Sequence, residues 1–277
     1  MSVLKSGEEY TLNQLFSGDR KIIIPDLQRD YCWGDEKHGS ESSKVELVSG
    51  FLSGLMQNFE KSKDERLMLG LIYGFENPIN HVHLCDGQQR ITTLFLLLGM
   101  LCRKNGCNPE ANHLISKFEY FEDDKEPYLQ YSIRESTLYF LSDLVCHFFI
   151  NSKECKSVTA IEETNWYFNS YKQDPSIQSM LKALIIIEKA LKKEYDWVEF
   201  QKYVENKIFM LYFDLENREN GEDLFVIINT TGEPLTATEN LKPVLLGSLG
   251  EHTDLNKQWE DREDFFWKHK KDNEHEA

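Results

Sequence analysis

Two spacings of apolar residues alternate along this chain, and the points where one gives way to the other mark its elements. The plainest change lies in HVHLCDGQQRITTLFLLLGMLCRK, residues 81–104. His81 to Cys85 is a short apolar run suited to a buried strand. It breaks at Asp86-Gly87 and resumes as Ile91, Leu94, Phe95, Leu97, Leu98 and Leu101, the spacing of a helix packed on a core. Asp86 stands where an N-cap belongs, and Gln89 three positions later completes a capping-box-like pair. Leu67 to Phe75 reads as a strand in which Gly70 and Gly74 indicate close backbone approach. A turn over Glu76–Asn80 would pair that strand with His81–Cys85 as a hairpin.

The same reading extends outward from this centre. Thr11 is an N-cap for a short helix through Leu15. An apolar run from Ile22 enters Pro25, which holds its predecessor extended. Val45, Val48, Phe51, Leu52, Leu55, Met56 and Phe59 give an amphipathic helix over Lys44–Phe59. From Arg134 the chain turns helical: Leu138–Ile150, Ile177–Leu191 started by Asp174-Pro175-Ser176, and Trp197–Asn206. Trp166, Tyr167 and Phe168 read as core packing. Phe209–Leu215 suits a strand returning to the sheet, and Thr236 with Glu239 opens a last helix carrying Lys242. Asp35–Ser43 is a polar, mobile loop. Lys104–Gln130, with the acidic run Glu122-Asp123-Asp124, is an irregular connection. The charged tail from Asp261 is expected to fray. The fold class is therefore α+β, a small mixed sheet with a large helical portion. Its division is residues 1–105, a helical insertion over 106–205, and a return strand with C-terminal helices over 206–277.

Charge changes what such a fold is expected to do. Against 31 Lys and Arg stand 47 Asp and Glu, a formal charge of −16, whereas duplex DNA attracts clustered basic residues through counterion release. DNA binding by this segment alone is disfavoured; a cation-assisted nucleotide site tolerates an acidic surround better, because Mg²⁺ screens phosphates. Cys32, Cys85, Cys102, Cys107, Cys146 and Cys155 form no C-x-x-C pair and no zinc spacing. Cys85, Cys102 and Cys146 lie in apolar runs as small core residues. No apolar run is long enough to span a bilayer and none reads as a signal peptide, which points to a reduced, cytoplasmic setting without membrane partners. His81 and His83 share one strand face; without a third ligand they read as a polar strand edge rather than a metal site.

Three stretches hold the candidate chemistry. A strand, a glycine turn and a helix N-terminus at Asp86–Gln89 make an anion site, because first-turn N–H groups point outward and the helix dipole adds about half a positive charge. Arg90 adds a planar fork suited to phosphate, with Thr92 and Thr93 one turn in. Turn and capping chemistry alone also accounts for D-G-x-x-R. The second stretch, IIIPDLQRDYCWG, holds Gln28, Arg29, Tyr31 and Trp33. In the third, LFVIINTTGEPLTATENLK, Asn229 and Gly232 flank a turn.

Taken together, IPDLQRDYCW, DGQQRITTL and FVIINTTGEPLTATENLK resemble, in order, the signature blocks of the N-terminal domain of GmrSD-type restriction endonucleases. QYSIRESTLYFLSDL and NWYFNSYKQDPSIQSMLKAL resemble the helical middle of one branch of that family, so the likeness runs from about Leu12 to Trp267. It implies a ParB/sulfiredoxin-like sheet core and nucleoside triphosphate binding and hydrolysis (GTP or another) that licenses DNA cleavage in anti-phage defence. Cutting belongs in such proteins to a separate domain or subunit with a His-Asn-His motif, which is not found here. By resemblance the three blocks converge on one pocket. Gly87 to Gln89 N–H groups and Arg90 would hold phosphates. Asp86 would bind Mg²⁺ or orient the attacking water, and Gln88 or Gln89 would position it. Gln28 and Arg29 would add donors, Tyr31 or Trp33 would stack on the base, and Asn229 and Lys242 would close the pocket. A homo-oligomer is compatible with this. The competing readings are a non-hydrolysing sensor of modified DNA or of a partner, and a ParB-like DNA nuclease. No Walker G-x-x-x-x-G-K-[ST] is present, which suggests a slow, switch-like hydrolase.

Overall fold

The computed structural model describes residues 4–26, 28–35, 47–106, 113–115, 126–151 and 155–231. Its centre is a mixed six-stranded sheet in the order β1-β6-β3-β4-β2-β5. The strands are β1 (Glu9–Thr11), β2 (Lys21–Ile24), β3 (Leu67–Glu76), β4 (His81–Asp86), β5 (Leu129–Tyr131) and β6 (Ile208–Asp214). β3 and β4 form the expected antiparallel hairpin, and β2 runs parallel to both β4 and β5. The three neighbours β4, β2 and β5 thus end on the same edge of the sheet. That edge is where open sheets with parallel strands place their ligand crevices.

The helices are α1 (Leu12–Leu15), α2 (Leu47–Ser62), α3 (Gln88–Asn105), α4 (Glu135–Asp143), α5 (Pro175–Leu191), α6 (Trp197–Asn206) and α7 (Arg218–Thr231). Local chemistry starts several of them as expected. Thr11 and Gln14 make the capping box of α1, and Asp174 caps α5 by accepting from the N–H groups of Ser176 and Ile177, with Pro175 in the first turn. α4 runs into a π-helical stretch, Leu144–Ile150, that buries Leu144, Val145, Phe148 and Phe149.

α3 is the hub. Every residue from Ile91 to Cys102 is buried, because α5, α6 and the π-helical stretch enclose it. A helix apolar all round belongs inside a core rather than on its surface. A single hydrophobic cluster takes in Ile22, Leu84, Leu94, Phe140, Leu184 and Met210, from every part of the described chain. The segment 106–205, expected as a helical insertion, also contributes β5 to the sheet.

Several details differ from expectation. β4 is flanked by β3 and β2, so His81 and His83 do not lie at a sheet edge. His83 instead stacks flat on Phe75, with ring centroids 4.9 Å apart, and its Nε2 lies 2.8 Å from the Asn77 carbonyl oxygen. No group of three potential metal ligands occurs among the described residues. Trp166 and Tyr167 are buried, but Phe168 is 55% exposed. Cys85 and Cys102 are buried as expected, Cys102 being disulfide-bonded, and Cys146 is half-buried. No described helix is long and apolar enough to cross a membrane. The Glu122-Asp123-Asp124 run, most of Asp35–Ser43 and the tail from Asp261 lie outside the described residues.

Candidate functional site: a strap over the start of α3

Where β2 ends, the chain leaves regular structure and crosses the N-terminus of α3 as a strap, of which residues 25, 26 and 28–34 are described. Such a segment has no ladder to satisfy its peptide groups, so side chains from elsewhere must do it. Gln88 Nε2 donates to the Arg29 carbonyl at 2.5 Å. Gln89 Nε2 donates to the Asp30 carbonyl at 2.9 Å, while its Oε1 accepts from the N–H groups of Cys32 (3.0 Å) and Trp33 (3.3 Å). Gln28, 8% exposed, returns the favour by donating to the Cys85 carbonyl at 2.7 Å. An amide side chain carries an N–H donor and a carbonyl acceptor on separate atoms, which lets Gln89 grip a backbone carbonyl and backbone N–H groups at once. One turn deeper, the Tyr31 hydroxyl meets Thr93 Oγ1 at 2.8 Å, and Thr92 Oγ1 meets the Tyr131 hydroxyl at 2.7 Å. Burial raises both tyrosine pKa values, so both hydroxyls stay protonated.

The turn itself is built differently. Gly87, not Asp86, is the N-cap of α3; it has φ +94°, the left-handed region, and no side chain caps the helix. A Cβ there would stand 2.7 Å from Ile72 Cγ2, so both conformation and space call for glycine. The expected Asp86–Gln89 capping box is thereby excluded, since Asp86 still belongs to β4 and Gln89 is spent on the strap. Asp86 instead pairs with Arg90 at 3.2 Å, four residues on. Arg90 sends Nη1 to the Leu69 carbonyl (2.6 Å) and Nη2 to the Leu71 carbonyl (2.7 Å), across an irregularity in the β3–β6 register. The close approaches expected at Gly70 and Gly74 are present: Arg90 Nη1 and the His83 carbonyl oxygen each lie 2.6 Å from where a Cβ would be. Arg90 is therefore committed to the sheet.

What this leaves open to a ligand is specific. The first-turn N–H groups of α3 have no partner within the helix. The Arg29 side chain is exposed and makes no hydrogen bond or ion pair among the described residues, while its own carbonyl is fixed above Gln88. Trp33 is half-buried, edge-on to Phe51 with centroids 5.4 Å apart. Asp86 offers one partly exposed carboxylate. Mg²⁺ commonly takes one or two protein carboxylates and fills its other positions with phosphate oxygen and water. One aspartate thus fits an ion that arrives with a nucleotide, though not a dedicated metal cage.

The first two signature stretches therefore meet directly. For the third, Asn229 lies within α7 rather than beside a turn, and Gly232, Thr236, Glu239 and Lys242 lie outside the described residues. α7 nonetheless reaches the strap at its other end, where Arg218 lies 3.5 Å from Asp26 and 2.8 Å from Glu222. Gly221 in α7 abuts Cys85, whose thiol burial pushes up to about 12, leaving it unreactive.

Sequence reasoning passed over Asp30, Arg134, Ser176 and Ser179. Arg134 forks onto the Asp30 carboxylate, and Ser176 Oγ donates to it at 2.8 Å. Ser176 Oγ also accepts from Tyr31 N–H at 3.1 Å, and Ser179 Oγ from Gly34 N–H at 3.1 Å. Their one visible signal was the Asp174-Pro175-Ser176 helix start, which spoke for a cap and not for a strap.

A family model described as GmrSD restriction endonuclease, N-terminal domain, matches residues 12–246. Comparison with curated proteins gives no match.

Proposed function

Because the chain belongs to the GmrSD restriction endonuclease N-terminal domain family, we propose that it binds and hydrolyses a nucleoside triphosphate, GTP or another, as the regulatory domain of a restriction or anti-phage defence protein. The observation that carries this reading is a set gathered at one place: the α3 N-terminus behind Gly87, the exposed Arg29 strapped across it, and the Asp86 carboxylate, whose Oδ2 pairs with Arg90. Phosphate oxygens suit the first-turn N–H groups and the positive end of the helix dipole. Arg29 neutralises charge that develops on the leaving oxygens. Asp86 would hold Mg²⁺, which would screen the charge of the phosphates. The base stacks on Trp33 rather than Tyr31, whose ring is 1% exposed. By the family resemblance Asn229, Gly232 and Lys242 are further nucleotide contacts. Arg90, Gln88 and the threonines act as the frame and not as ligands.

Hydrolysis adds water across the terminal P–O–P bond, giving phosphate and the diphosphate. Gln88 and Gln89 both spend amide groups on the strap, so orienting that water is the alternative role of Asp86, in place of holding the ion. That engagement is also the observation favouring a second reading, a sensor that binds nucleotide without turning it over. DNA cleavage falls to a separate domain or subunit, as the −16 charge suits phosphate recognition through a bound cation better than through the protein surface. The test adds Mg²⁺ with each of ATP, GTP, CTP and UTP and measures phosphate release and thermal shift. A shift with release supports the hydrolase, and a shift alone supports the sensor. No shift with any of the four removes the nucleotide site altogether.

A further inference from the structure

We propose that Arg134, from the helical layer, is a positioning residue that seats the strap and so presents Arg29 to the site; this rests on the nucleotide reading above. β5 runs parallel to β2, and Ser132 N–H donates to the Ile24 carbonyl at 2.9 Å, so the chain after β5 emerges beside the strap. Arg134 stands at the N-cap position of α4 there, only 7% exposed, and instead of capping the helix its side chain places both Nη atoms on the two Asp30 oxygens. Its Nη1 also lies 3.9 Å from Asp174 Oδ1. Asp174 in turn caps α5 and accepts from Ser136 and Thr137 hydroxyls at 2.6 Å each. Burial raises the Asp174 pKa, against the pull of Arg134 and those hydroxyls.

Arg134 is buried and Asp30 partly so; an ion pair drawn out of water is a poor way to gain stability, since desolvation offsets much of the attraction, and fixing one arrangement is its better-attested use. Here the arrangement it fixes is functional in location. Asp30 is the neighbour of Arg29. Its carbonyl is gripped by Gln89 from α3 while its carboxylate is gripped by Arg134 and Ser176 from the other side. The strap is thereby held between α3 and the helical layer, and the fork geometry of arginine sets its orientation in a way an ammonium cannot. Movement of α4 or α5 relative to the sheet would move Arg29.

The experiment uses the full chain with Arg134→Lys, which keeps the charge and drops the fork. Cys32 is an exposed, unbridged thiol inside the strap, so its rate of iodoacetamide labelling, read by mass spectrometry, reports strap seating without nucleotide. The expected result is labelling of Cys32 about fivefold faster at an unchanged melting temperature. Affinity for the Mg²⁺ complexes of ATP, GTP, CTP and UTP should also fall about tenfold, but less than about twofold when Arg29→Ala is already present, the non-additivity expected of two residues acting as one unit. Wild-type labelling by Arg134→Lys overturns the proposal. So does an equal loss of affinity with and without Arg29. If the wild-type chain binds none of the nucleotides, the nucleotide reading fails and the labelling rate alone decides the role of Arg134. If Arg134→Lys does not fold, Ser176→Ala, which removes one contact to Asp30 and one to Tyr31, carries the same measurements.

Discussion

The turn at Gly87 and the strap it supports sit against each other but are held by opposite means. The turn is backbone-determined: a left-handed glycine joins β4 to α3, and Arg90 locks it to the carbonyls of β3. The strap is side-chain-determined, hung from Gln88 and Gln89 on one side and Arg134, Ser176 and Ser179 on the other. The difference teaches which arginine is available. Arg90 looks like a phosphate fork in the sequence but is consumed in making the turn, whereas Arg29 sits on a segment whose own peptide groups are satisfied by others.

Mutations should separate the two regions. The largest effect is expected at the end of the strap, where a Cβ on Gly34 would lie 1.8 Å from the Ser179 carbonyl oxygen, a backbone atom that cannot step aside. Gly34→Ala should lose about 3 kcal/mol by denaturant unfolding, the upper range for overpacking. Next comes Gln89→Ala, which removes three hydrogen bonds to the strap. At about 1 kcal/mol each, partly relieved by water at this half-exposed site, the loss should be about 2 kcal/mol. Limited proteolysis of this variant should cut first within the strap; a first cut in the β3–β4 hairpin would show that the glutamine serves the turn instead.

A smaller effect, on the far face of the sheet, is set by pH. Burial lowers the His83 pKa below its ordinary 6.5, opposed by the Asn77 carbonyl. With the folded value depressed, its contribution is fully present above pH 6.5 and is lost as pH falls through the folded value. Stability should therefore decline on acidification below pH 6.5. In His83→Gln that decline should be shallower, as measured by melting temperature across the series.

Much of the fold was legible because periodicity and caps are local. α6 spans Trp197–Asn206 as its spacing indicates, and Asp174 with Pro175 starts α5. β5 was not: Leu129–Tyr131 is too short for alternation to register, and it becomes a strand only because β2 is there to pair with. At the site, the meeting of Gln28 and Arg29 with the D-G-Q-Q-R turn followed from the resemblance. The jobs of its residues did not. That Arg90 is captured by Leu69 and Leu71 depends on a register shift in β3 about twenty residues earlier. The part-buried Arg134–Asp30 pair joins positions 104 residues apart. Neither leaves a mark in the local spacing of residues.

The division of labour between the two arginines is tested most directly by calorimetric titration of nucleotide, with Mg²⁺, into the wild-type chain and Arg29→Ala. The exposed Arg29 side chain contributes little to folding, so the melting temperature should not move, while affinity should fall about tenfold or more, as for loss of a charge-assisted contact to phosphate. Unchanged affinity in Arg29→Ala, with wild-type binding intact, would contradict it.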